Sequence, residues 1–188
     1  MKRILFLFFI LFLGLNLEAQ RRLSVEAEIS LITCGPGQNE LYSAFGHSAL
    51  RVKDPQQRLD LVFNYGTFDF DQPNFYLNFA RGNLLYQLSV SNWQRFIYTY
   101  QIEGRYVKEQ VLDLDSAQAQ AYFDFLVQNA QEGNREHLYD YFYDNCATRI
   151  RDGLEQSLPK AEIEFSGEPH FQPPLSIRQL CDEYLLYQ

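Results

Sequence analysis

Little in this sequence suits a metal centre or a nucleic-acid partner. Its 188 residues include three cysteines, three histidines, one methionine and one tryptophan. Cys34, Cys146 and Cys181 stand far apart, as do His47, His137 and His170, and no pair has the short spacing of zinc ligands. The sequence therefore predicts no structural metal and no cofactor. Basic residues are outnumbered, 16 against 24 acidic, which excludes nucleic acid and electrostatic binding to an anionic membrane face. Contact with a membrane surface through aromatic side chains stays open. No apolar run reaches the roughly 20 residues of a comfortable membrane span. Neither an internal repeat nor a dividing linker is visible, so residues 20–188 read as a single domain.

What is present begins with an export signal. Met1-Lys2-Arg3 precedes an apolar run from Ile4 to Leu15, and Asn16-Leu17-Glu18-Ala19-Gln20 follows. A positive start, a short apolar core and a small residue before a polar one describe a secretory signal peptide over residues 1–19. No cysteine lies at the cleavage point, so nothing marks the protein as itself lipid-anchored. Removing Lys2, Arg3 and Glu18 leaves 14 basic and 23 acidic residues, a net of −9. In an oxidising compartment three cysteines leave at least one thiol unpaired or paired between chains. A Cys34–Cys181 bond with Cys146 free is one arrangement, and the sequence does not choose it.

Val25, Ala27, Ile29, Leu31 and Thr33 alternate with mostly polar residues and predict a strand, broken by Thr33-Cys34-Gly35-Pro36-Gly37. Glu40 to Gly46 reads as a short helical turn. His47 to Lys53 and Leu59 to Gly66 form a β-hairpin around residues 54–58. Pro73 to Arg81 is a short helix ended by Gly82. Leu84, Tyr86, Leu88 and Val90 alternate as a strand. Trp93, Phe96, Ile97 and Tyr100 repeat at helical spacing between a cap at Asn92 and Gly104. Tyr106 to Leu114 is a further strand, and Asp115 caps a helix burying Ala119, Tyr122, Phe123, Leu126 and Ala130. Polar, loop-like residues follow Pro159 through Pro173-Pro174. A last helix from Ser176 places Ile177, Leu180, Cys181, Tyr184 and Leu185 on one stripe, which makes Cys181 a core thiol. The sequence stops in that apolar helix without a cap, as a fragment of a longer product or a docking end would.

The chemistry centres on Tyr141 to Asp152. An aromatic run leads into Asp144-Asn145, both good helix caps, and Ala147, Ile150, Leu154 and Leu158 then recur at helical spacing. Cys146 falls in the first turn, where unpaired N–H groups and the helix dipole favour a thiolate. Its pKa can fall there from roughly 8.5 toward about 3.5–7.5. A lone cysteine is more often a small packing residue; a second stretch argues for more. Phe45-Gly46-His47-Ser48-Ala49 puts His47 at the start of a strand between small residues, where it could serve a thiol as base. Such a histidine needs an orienting partner. Asn64 lies beside it on the second hairpin strand, with Tyr65 and Asp69 as alternatives. Arg149 and Arg151 read as surface pairs, Asp144 as a helix cap and His137 as structural or exposed. The tyrosines from Tyr139 to Tyr143 read as core packing or as the lining of an acyl groove, and Cys34 sits in a loop near the site.

The order of a histidine strand, a polar strand and Asn-Cys opening a helix resembles the circularly permuted papain-like enzymes, which include the lecithin:retinol acyltransferase type. A closer resemblance is to the Lnb family of bacterial lipoprotein N-acyltransferases, in its N-terminal periplasmic domain. It rests on Thr33-Cys34-Gly35-Pro36-Gly37, Phe45-Gly46-His47-Ser48-Ala49-Leu50-Arg51-Val52, Phe63-Asn64-Tyr65-Gly66-Thr67-Phe68-Asp69-Phe70 and Asp144-Asn145-Cys146-Ala147-Thr148-Arg149-Ile150-Arg151-Asp152. The fold this implies is α+β, an antiparallel sheet packed against helices with the nucleophile at a helix N-terminus. It implies Cys146 as nucleophile and His47 as base, with Asn64 in the third place. It also implies a periplasmic location, a phospholipid acyl donor and a lipoprotein acceptor whose N-terminal amine is acylated. The family's name further implies membrane-spanning sequence after such a domain, and this sequence has none. Two other readings keep the same residues: an exported cysteine amidase or peptidase acting on cell-wall peptides, and a non-catalytic binding domain.

Overall fold

Two strands rich in β-branched and aromatic residues, β2 (His47–Asp54) and β3 (Leu59–Phe68), form the central hairpin of the protein. The computed structural model describes residues 21–38, 41–159 and 175–186. The expected signal peptide, and the expected loop over 160–174, lie outside the described residues. Around the hairpin are added β1 (Glu28–Cys34), β4 (Leu85–Asn92), β5 (Val107–Val111) and β6 (Glu136–Leu138), in the order β5-β1-β2-β3-β4-β6. Every pairing is antiparallel. Five helices complete the described residues: α1 (Phe75–Ala80), α2 (Trp93–Ile102), α3 (Ser116–Asn129), α4 (Cys146–Ser157) and α5 (Ile177–Leu186). The fold is α+β, with a six-stranded antiparallel sheet.

Strand alternation sends side chains to two cores. One contains Leu50, Val52, Phe63 and Tyr65 of the hairpin, packed with Tyr122, Phe123 and Leu126 of α3 and Ile150 of α4. The other contains Ile32, Cys34, Ala49 and Val62, packed with Phe96 and Tyr100 of α2. Local chemistry starts the helices. Asn92 accepts from the Arg95 N–H at α2, and Asp115 with Gln118 makes a capping box at α3. Helices α3 and α4 approach closely at Gly153, where a Cβ would lie 2.7 Å from Phe125 Cε1. The Tyr122 hydroxyl donates to the Ile150 carbonyl at 3.0 Å. These two contacts fix the helix that begins with Cys146.

Several expectations need correction. The segment predicted as a helix from Pro73 starts at Phe75, because Asn74 is left-handed. Strand β6 has no sequence signature; three residues pair with β4 and bury His137. The stripe of α5 is not a core face among the described residues: Ile177 and Leu180 are about 40 % exposed and Cys181 is half-buried. Tyr141, Phe142 and Tyr143 are exposed and form no core packing.

Asp54 ends β2 opposite Leu59 and does not open the hairpin loop, so the turn is residues 55–58. Its carboxylate is fully buried. It accepts from the Ser24 N–H at 2.7 Å, the Ser24 hydroxyl at 2.8 Å, and the N–H groups of Gln56 and Gln57 at 3.1 and 3.2 Å. Burial pushes this carboxyl up, but the hydrogen bonds from Ser24, Gln57 and Gln56 outweigh it and hold the pKa below the ordinary carboxylate value. A depressed native pKa contributes stability above the unfolded value near 4 that disappears as pH falls through the native one. Asp54→Ala should therefore cost about 3 kcal/mol in urea denaturation at pH 7, with the gap to wild type narrowing in acid. A loss below about 1 kcal/mol would show that water replaces the carboxylate.

Candidate active site

His47 is the first residue of β2, so its imidazole stands at an end of the sheet. Gly46 delivers it: φ is +76°, and a Cβ there would lie 2.7 Å from the Cys34 carbonyl oxygen, so only glycine fits. On the neighbouring strands Cys34 pairs with His47, and β3 carries Asn64 just before a register shift between Asn64 and Thr67. The Asn64 side-chain oxygen lies 2.7 Å from His47 Nε2 and accepts the Gly66 N–H at 2.8 Å. With Nε2 so engaged, Nδ1 is the nitrogen left for a thiol. A Cβ on Gly66 would lie 2.3 Å from His47 Cε1, so the imidazole packs on bare backbone.

Cys146 is the first residue of α4. Asn145 is the cap: its side-chain oxygen accepts the N–H groups of Ala147 and Thr148 at 3.0 and 3.1 Å, and Thr148 Oγ1 accepts the Asn145 N–H in return. Asp144, expected as a cap, instead holds Arg149 in a two-pronged ion pair. The thiol is half-buried, within hydrogen-bond reach of His47. Burial pushes its pKa up, but the hydrogen bond and charge of His47, with the backbone N–H groups of Ser48 and Ala147, hold it below the ordinary thiol value.

Of the residues singled out from the sequence, the structure brings together Cys146, His47 and Asn64. The alternatives to Asn64 lie elsewhere. Tyr65 points into the first core, where burial raises its hydroxyl to about 12. Asp69 is exposed and accepts the Asp71 N–H in a turn. Cys34 lies in β1, buried and hydrogen-bonded to Tyr100, with burial raising its pKa to about 11. All three cysteines are free thiols. His137 is buried, with Nε2 unpartnered; burial and the Arg149 charge hold it below the ordinary histidine value. Among the described residues no group of three His, Cys, Asp or Glu could hold a metal.

The surroundings carry residues that no motif announced. A cavity of about 120 Å³ is lined by His47, Asn64, Gly66, Cys146, Tyr86 and Arg105, among others. A wider groove of about 350 Å³ opens beside it, walled by Tyr42, Phe45, Tyr106, Tyr139 and Tyr141. The rings of Tyr86 and Tyr139 stack at 4.1 Å, and those of Phe45 and Tyr141 meet edge-on at 5.1 Å. In the sequence Phe45 reads with the His47 motif, Tyr86 and Tyr106 as strand residues and Tyr139 and Tyr141 with the run before Cys146; they share no period, so the groove they form is not legible there.

A lowered pKa keeps Cys146 ionised at pH values where a free thiol is protonated. Alkylation by iodoacetamide, followed peptide by peptide in a mass spectrometer, should therefore be fast at Cys146 at pH 7 and negligible at Cys34 in the folded protein. His47→Ala and Gly66→Ala should each slow the Cys146 reaction severalfold, by removing or displacing the imidazole that favours the thiolate. A Cys146 no faster than free cysteine would refute this account of its surroundings.

Among the described residues no helix is long and apolar enough to cross a membrane. No curated protein and no solved structure matches the chain. A family model does, the one described as the Lnb N-terminal periplasmic domain, over residues 20–183. With a match that spans the sheet, the helices and the Cys146 site together, the chain belongs to the Lnb N-terminal periplasmic domain family.

Proposed function

We propose that this domain transfers an acyl group through a thioester on Cys146, from a phospholipid to the N-terminal amine of a bacterial lipoprotein. The observation that carries the reading is the chain of contacts from Cys146 to His47 to Asn64, opening onto an aromatic groove. In this scheme Asn64 accepts from Nε2–H and leaves Nδ1 to take the thiol proton. The thiolate attacks the ester carbonyl of the donor. As the first helical residue, Cys146 has an N–H with no intrahelical partner, and it can stabilise the oxyanion. The intermediate collapses by breaking the ester C–O bond, His47 gives its proton to the departing lysolipid oxygen, and a thioester remains. The acceptor amine then attacks the thioester, His47 takes its proton, and the thiolate leaves as the amide forms.

Three features support this reading. The chain order, with histidine on an early strand, asparagine on the next and cysteine opening a later helix, suits a circularly permuted papain-like fold. An apolar groove fits an acyl chain better than a charged wall peptide. Membership of the Lnb family supplies the lipoprotein context. Incubation with phospholipid vesicles should add one fatty-acyl mass to the wild-type protein and none to Cys146→Ser or His47→Ala. No adduct on protein whose Cys146 still alkylates rapidly would favour an amidase acting on cell-wall peptides. No adduct and a sluggish thiol would favour a binding domain.

A further inference from the structure

Arg105 is the cation of the Cys146 cavity. Its side chain is only 8 % exposed, although it follows Gly104 in a loop after α2. Three contacts hold the guanidinium in place. Nε donates to the Gly35 carbonyl at 2.7 Å, Nη1 pairs with Glu103 at 2.8 Å, and the group stacks over the Tyr100 ring at 4.6 Å. Nη2 has no partner among the described residues, yet it is not among the buried atoms left unsatisfied. Arg105 lines the same cavity as Cys146, His47 and Asn64. Glu103, its one anionic partner, is 41 % exposed and solvated, so it neutralises a buried guanidinium only in part.

A fixed, partly desolvated guanidinium with one free N–H₂ edge, on a cavity that also holds a nucleophile, suits an anion. A fatty-acyl chain has no use for it, and neither does the acceptor amine, which a cation repels. A phosphodiester does. We propose that Arg105 binds the phosphate of the glycerophospholipid donor and so positions the ester carbonyl at Cys146. This rests on the acyl-transfer reading above and adds a specificity-determining residue to it. Arg105 takes no part in bond making or breaking; it sets which donors reach the thiol.

The test compares two acyl donors, one with a phosphate and one without: phosphatidylethanolamine vesicles and p-nitrophenyl butyrate. Acylation of Cys146 is timed by intact mass in wild type, Arg105→Gln and Arg105→Lys. The ratio of the phospholipid rate to the ester rate should fall about tenfold or more in Arg105→Gln, the worth of one charge-assisted hydrogen bond. Arg105→Lys should fall between, since it keeps the charge and loses the planar edge. A purely structural role would lower both rates by one factor and leave the ratio unchanged, and that result overturns the proposal. Should Arg105→Gln fail to fold, the ratio in Arg105→Lys decides alone. Millimolar inorganic phosphate that slows the ester reaction of wild type, with the donor ratio unmoved in the variants, would make this a free-phosphate site and overturn the lipid assignment. Wild type that accepts butyryl but no phospholipid acyl group would instead refute the donor in the function proposed above, and the Arg105 assignment with it.

Discussion

One amide oxygen holds the site in place. Asn64 Oδ1 stands between two donors, the His47 ring and the Gly66 backbone, at 2.7 and 2.8 Å. The second contact fixes the first: by gripping the strand two residues ahead, Asn64 stabilises the irregular pairing of β3 with β4 just where the imidazole needs room. Gly66 supplies the room by having no side chain. The histidine is thereby oriented by backbone geometry on one side and by a side-chain acceptor on the other. Its free nitrogen is left with a single occupant, the thiol.

The thiol's own environment is a contest. A half-buried cysteine among Tyr86 and Tyr139 is in a medium that disfavours charge, and burial there raises the hydroxyl of Tyr86 to about 12. Cys146 escapes the same fate because His47 and two backbone N–H groups are aimed at it. Cys34 shows the opposite result a strand away. It has the Tyr100 hydroxyl and the Arg105 charge nearby, yet burial wins, and the thiol stays protonated. Two cysteines that both border the groove thus differ in chemistry through the partners that face each thiol.

How far the sequence foretold this depends on whether the deciding interaction is local. Caps are local, so Asn92, Asp115 and the start of α4 were readable from a polar residue before a helical period. The choice between Asp144 and Asn145 was not, because it turned on Arg149 taking the aspartate. The hairpin brought His47 and Asn64 near each other from the sequence alone, since strand pairing converts sequence separation into distance. Strand β6 exists only through its pairing with β4, so Glu136-His137-Leu138 looked like loop. The apolar stripe of α5 was real as a pattern, but periodicity does not say what covers a face, and Ile177 and Leu180 remain accessible. Arg105 was invisible because nothing in Gly104-Arg105-Tyr106 announces that its guanidinium reaches back to Gly35.

The clamp between Ser24 and Asp54 has a consequence for how the molecule is held. It ties the segment that follows residue 20 to the turn end of the central hairpin, while His47 occupies the opposite end of the same eight-residue strand. At about 3.3 Å per residue that separation is roughly 23 Å. A pull on the chain at Arg21 therefore acts on the pole of the sheet remote from the groove, and the load passes into a buried carboxylate rather than into the imidazole.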